Sequence, residues 1–284
     1  MKQADWLWPG GKRIAVAFNV AFEAWSDGKA PGIGPMGNPL PAGVLDNMAI
    51  SWAAYGAKRG IYRLLESFAR HGVKASVMTS AVLAERSPQA VRAVSEAGHE
   101  VLSHSYAMDV IPALLSEQDE RRNIERCGAL LEQAGGRRVL GWISPRATAS
   151  VHTARLLAEA GYRWYGDVLD DDLPYVQVFG ERRIAAIPLT TDVNDMRSMK
   201  YGEAPRRMLE TFEESVARVL RRDEAPVLID VTAHAHIFGR PQGADVYDRI
   251  VETATAMREA WIATRIEIAD FVLARQDGTA DRLR

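Results

Sequence analysis

A chain of 284 residues with 47% hydrophobic side chains can bury a large core, and one domain over 1–284 is favoured over two smaller ones. The 35 Lys and Arg against 37 Asp and Glu leave a net charge of −2, so no basic surplus exists to hold a nucleic-acid backbone or an anionic membrane. No apolar run approaches a membrane span or a signal-peptide core, which predicts a cytoplasmic protein, and the single cysteine, Cys127, excludes an internal disulfide and a thiolate metal cage.

In chain order, residues 13–20 form a short apolar run after a Pro-Gly-Gly turn, the pattern of a strand buried on both faces. Asn19 and Glu23 lie at its end. A Gly- and Pro-rich segment follows at about 25–57, long enough without regular structure to imply a lid or an oligomer contact. Strands and helices then alternate. A helix is expected over about 60–71, a strand over 74–78, helical turns up to 96, and a strand before His104. A helix over about 117–133, a strand over 138–142, a helix near 153–160 and strands at 162–165 and 184–188 come next. A long helix over about 205–221, a strand over 225–231 and two closing helical segments complete the series. About seven strands alternating with helices call for a parallel sheet with right-handed crossovers, and an incompletely closed (β/α) barrel fits that count.

If the strands are parallel, their C-terminal ends share one mouth, where α/β proteins collect functional side chains. That mouth is polar: Asn19 and Glu23, His104 and Asp109, Arg146, the Asp170-Asp171-Asp172 run, Asp192 and Asn194 with Arg197, and finally His234 and His236. Carboxylates, imidazoles and a fixed cation are what hydrolysis of a carbonyl compound requires. Each has a plainer reading. His104 fits a core histidine satisfied by a backbone carbonyl, Arg146 fits a loop-carbonyl donor, the aspartates fit a solvated turn, and Asp192, Asn194 and Arg197 fit a local Asx-turn network. His234 and His236 alternate, so they are expected to point to opposite sides, with His234 facing the mouth. The assigned catalytic group is Glu23, His104 and His234, with Asn19, Trp25, Arg146, Asp172, Asp192 and Asn194 as substrate contacts.

Gly98-His99-Glu100 to His104, the segment around Ser144-Pro145-Arg146, and Thr232-Ala233-His234 followed by Gly239-Arg240-Pro241 resemble the polysaccharide deacetylase superfamily. The stretches Asp170 to Tyr175 and Ile187 to Arg197 look like its allantoinase-type branch, which opens cyclic amides. The resemblance implies a distorted (β/α) barrel of seven strands, hydrolysis of a carbon–nitrogen amide bond and a homo-oligomer. It also implies an Asp-His-His metal set, from which this chain departs: Asn19 and Ala21 replace the two aspartates, Met108 replaces the second histidine, and only His104 survives. One imidazole cannot hold a catalytic divalent ion. The expectation is therefore a hydrolase of a small cyclic amide, imide or ureide with no cofactor. The alternatives are zinc on a rebuilt Glu23–His104–His234 site in a sugar N-deacetylase, or a non-catalytic barrel that binds a small ligand.

Overall fold

The structure, a computed structural model, describes residues 6–32, 34–35, 40–41, 43–222 and 226–275. Strand β1 spans Ile14–Phe22 with all nine residues buried. Helix α1, Asn47–Tyr55, runs through a π-helical turn, Gly56–Gly60, into α2, Ile61–His71. Then come β2 (Ser76–Thr79), α3 (Val82–Arg86), α4 (Pro88–Glu96), β3 (Glu100–Ser103), α5 (Glu117–Gly135), β4 (Gly141–Trp142), α6 (Thr153–Ala160) and β5 (Trp164–Tyr165). The chain continues with β6 (Tyr175–Phe179), β7 (Arg182–Ala186), α7 (Met196–Tyr201), α8 (Arg206–Arg222), β8 (Val227–His234), α9 (Pro241–Thr255), β9 (Ala260–Ile262) and α10 (Arg265–Arg275).

The seven expected strands are β1 to β5, β7 and β8. Two were not foreseen among the described residues. β6 pairs antiparallel with β7 in a hairpin closed at Gly180, whose φ of 60° suits a residue without a Cβ. Its alternation is broken by Gln177, and the preceding aspartates read as an open turn. β9 is only three residues long. The segment at 25–57, expected to lack regular structure, contains α1, whose first turn is capped by the Asp46 carboxylate accepting from the Ala49 amide at 2.9 Å. Among the described residues no helix is long and apolar enough to cross a membrane.

The residues cluster into two compact units, Met1–Ala75 with Thr190–Ile262, and Ser76–Leu189 with Ala263–Arg284. In the first, β1 pairs parallel with β8, Ala21 opposite His234, and with β9. Phe18, Phe68 and Tyr247 pack edge to face or tilted at 5.7–6.0 Å between centroids, joining β1, α2 and α9. Arg70, His71 and Ser67 on α2 all reach Asp248 on α9.

In the second unit β2, β3, β4, β5 and β7 pair in parallel succession. Its buried charges are tied down. Glu100 accepts from Ser76 Oγ (2.6 Å), Trp164 Nε1 (2.9 Å) and the Ile266 amide (3.0 Å), while Arg265 donates to the Ile187 and Pro188 carbonyls beneath the Trp164 ring. Burial pushes the Glu100 carboxyl up, against those donors. Cys127 is buried on α5, and burial pushes its thiol well above the reactive range, in line with a packing role.

Candidate active site

The end of β8 and the segment before α7 build a buried polar cluster in the first unit. Thr232 donates its amide to the Val193 carbonyl (3.0 Å), and the Asp195 amide donates to the Thr232 carbonyl (3.2 Å), so residues 193–195 run alongside β8. Side chains alternate along such a segment, which turns Val193 and Asp195 inward and leaves Asp192 exposed. Asp195 is 0% exposed. Its Oδ1 accepts from His234 Nδ1 at 2.6 Å, and its Oδ2 accepts the His234 amide at 2.7 Å and the Phe238 amide at 3.2 Å. On the other side of the ring, Glu23, just beyond β1, places Oε1 3.5 Å from His234 Nε2.

The imidazole of His234 is therefore held between two carboxylates. Burial alone pushes its pKa down, but Asp195, and then Glu23, hold it well above the ordinary histidine value. Its Nδ1 must carry a proton, because Asp195 can only accept, and the raised pKa keeps Nε2 protonated as well. Asp195 was absent from the residues assigned by sequence. The signal was present in the alternation, since an apolar Val193 that faces inward takes Asp195 with it.

His236 is not opposite His234. β8 ends at His234, so the strand alternation stops there, and the two rings lie edge to face at 5.8 Å. Trp25 (5.8 Å) and Trp52 (4.6 Å) meet His236 edge to face, and burial drives its pKa down to about 4, so it is neutral beside a charged His234. Trp25 thus stands beside the histidine pair, and Leu40 is exposed, whereas Met36 lies outside the described residues.

Asn19 is fully buried, its amide donating to Asp230 Oδ1 at 2.9 Å and to the Ala17 carbonyl at 3.1 Å. Asp230 also accepts the Thr190 amide at 3.0 Å, so Asn19 carries a β1–β8 crosslink inside the unit instead of meeting solvent. Asn194 forms the Asx turn, its Oδ1 accepting the Met196 amide at 2.9 Å, and Arg197 is paired two-pronged with Glu203.

In the second unit His104 follows β3. Its Nδ1 lies 2.5 Å from the Ile143 carbonyl oxygen and its amide donates to the Thr79 carbonyl at 3.0 Å. A carbonyl only accepts, so Nδ1 holds a proton. Nearby, Asp167 accepts from the Ser144 amide and hydroxyl, both at 2.7 Å. Burial raises its pKa to about 6, opposed by Ser144 and by the charge of His104. Arg146 is exposed with φ 60°, on the turn after Pro145. Asp172 is exposed ahead of β6. Asp170 accepts from the Tyr175 hydroxyl and Asp171 from the Leu173 amide, which makes this run the solvated turn.

A divalent metal fits these residues poorly. Among the described residues no group of three His, Cys, Asp or Glu could hold one. In the fallback set of Glu23, His104 and His234, the Nδ1 of each ring is already engaged, that of His234 by Asp195 and that of His104 by the Ile143 carbonyl.

Residues 54–165 match the family described as polysaccharide deacetylase. A Schizosaccharomyces pombe protein assigned to the polysaccharide deacetylases is 26% identical over 92% of this chain and 91% of its own length. The solved structure of a probable polysaccharide deacetylase from Pseudomonas aeruginosa PAO1 superposes with a TM-score of 0.85, at 28% identity over 96% of this chain and 95% of that one. That of PuuE allantoinase gives a TM-score of 0.83, at 27% identity over 96% and 94%. The expected fold class is borne out by these likenesses.

Proposed function

From a chain that carries a polysaccharide deacetylase domain, we propose a hydrolase of carbon–nitrogen amide bonds, acting on a small cyclic amide, imide or ureide without a metal of the Asp-His-His kind. The observation that carries this reading is the Glu23–His234–Asp195 chain, with the imidazole held between two carboxylates.

Hydrolysis needs a proton removed from water and one delivered to the departing nitrogen. Glu23 supplies the base: as the water oxygen bonds to the carbonyl carbon, its proton passes to the carboxylate. His234 supplies the acid: Nε2–H protonates the ring nitrogen as the carbon–nitrogen bond breaks, giving a carboxylic acid and an amine, amide or urea nitrogen. Asp195 positions the ring and favours its charged form, while Trp25, Trp52 and neutral His236 wall the site. His104, named with Glu23 and His234 from the sequence, is kept as a proposed participant to be tested by substitution.

Support for the cyclic-amide class comes from the likeness to PuuE allantoinase and from donors that do not suit a divalent ion. The test is turnover of a panel of hydantoin, succinimide and dihydrouracil beside N-acetylated sugars, before and after dialysis against a strong chelator. Turnover of a cyclic compound that survives chelation is expected. Activity confined to N-acetyl sugars, or abolished by chelation and restored by zinc, overturns the reading. Binding without turnover would make the protein a ligand-binding barrel.

A further inference from the structure

Beside the histidine pair, within the first unit, lies a groove of ≈ 560 Å³, a size suited to a small organic ligand. Trp52 and Tyr55 on α1 line it together with three cations, Lys58, Arg59 and Arg240, and among the described residues no acidic side chain lines it. Arg240 is fixed, its guanidinium 4.1 Å above the Tyr55 ring, with Nε on the His236 carbonyl at 3.1 Å. Lys58 and Arg59 are exposed, and neither has a hydrogen bond or ion pair among the described residues. Arg121, Arg155, Arg197 and Arg207, by contrast, are each paired with a glutamate within 3.2 Å.

Lys58 and Arg59 sit in the π-helical turn, a local rearrangement that costs hydrogen-bond quality and often marks functional positions. The turn is held by contact. A Cβ on Gly60 would fall 1.8 Å from the Ala235 carbonyl oxygen, and one on Gly56 would meet the His236 amide at 3.3 Å. The inner face of the turn is thus pressed onto the loop that follows His234, while its outer face presents two cations beside Trp52 and Tyr55.

The geometry points to this groove as the subsite for a carboxylate borne by the substrate next to the scissile cyclic amide, its planar part lying against Trp52 and Tyr55. This rests on the hydrolase reading above and names the class of substrate which that site takes.

The test uses the full chain and two compounds with the same scissile ring, hydantoin and hydantoin-5-acetate. kcat/KM is compared for wild type and the double variant K58Q/R59Q, and binding of hydantoin-5-acetate is followed by tryptophan fluorescence at low and high salt. The acidic compound is expected to be preferred by on the order of tenfold, salt is expected to weaken its binding, and the double variant is expected to lose most of both effects. Equal kcat/KM for the two compounds, or a preference that survives the double substitution, overturns the subsite while leaving the hydrolase standing. If neither compound is turned over, the hydrolase reading fails for this ring and the binding arm decides alone. Salt-sensitive binding lost in K58Q/R59Q supports the subsite, and equal binding by both proteins removes it.

Discussion

His234 and His104 each close a buried parallel strand, one in each compact unit, and their surroundings differ in kind. The Nδ1 of His234 meets a buried carboxylate and its Nε2 faces another, so the ring is stabilised as a cation. The Nδ1 of His104 meets a backbone carbonyl, which selects a tautomer but adds no net charge. A carboxylate partner changes what a histidine is at neutral pH, whereas a carbonyl partner changes only which nitrogen is available. The two strand ends therefore place the same residue type against partners of different charge.

Breaking the charged end should cost most. His234→Asn keeps a donor toward Asp195 and removes Nε2, so turnover is expected to fall on the order of a thousandfold with little loss of folded protein, measured by kcat beside a thermal melt. A near-normal kcat would place the acid elsewhere. Glu23→Gln and His104→Asn are each expected to lower kcat on the order of a hundredfold. In His104→Asn the side-chain amide still donates to Ile143, so a falling melting temperature with intact kcat would return His104 to the core.

Asp195→Asn sharpens the comparison, because it makes the partner of His234 neutral, as that of His104 already is. A loss on the order of tenfold in kcat is expected, with the alkaline limb of the pH–rate profile moved to lower pH, since an acid with a lower pKa is lost earlier. Stability follows the same group. Its native pKa is raised, so its contribution is fully present below the ordinary histidine value of 6.5 and is lost as pH rises through the native pKa. In Asp195→Asn that dependence should shrink, as read by melting temperature against pH. An unshifted profile would mean that His234 is not the group titrating.

The smallest effect is expected at Asp167 in the other unit. Its pKa is raised from 3.8 to about 6, so the native state binds the extra proton and stability falls as pH rises from about 4 to 6. Asp167→Asn should flatten the melting curve in that window without touching the alkaline limb governed by His234. An unchanged slope would remove Asp167 from the account.

Much of this molecule is legible in its sequence. The strands within the runs 13–20 and 225–231 are apolar but for the hydrogen-bonded Asn19 and Asp230, because they are buried on both faces, and burial on both faces leaves a sequence little choice. Glu23, His104 and His234 stand at or just beyond strand ends, and that placement was legible by position alone. Helix α1 was hidden because a Gly- and Pro-rich lead masks its start, and β6 because one broken alternation is weak evidence for a strand. The partnership of Asp195 with His234 spans 39 residues, and the bridge between Asn194 and Thr232 helps bring them together. The sequence by itself determined the alternation of strands and helices and which polar groups lie at the strand ends, because those follow from local hydrophobic period. Tertiary structure alone decided that Asn19 faces Asp230, that His236 turns back beside His234, and that His234 is charged. Hydrogen-bond partners and desolvation are set by segments distant in the chain, and no local pattern encodes them.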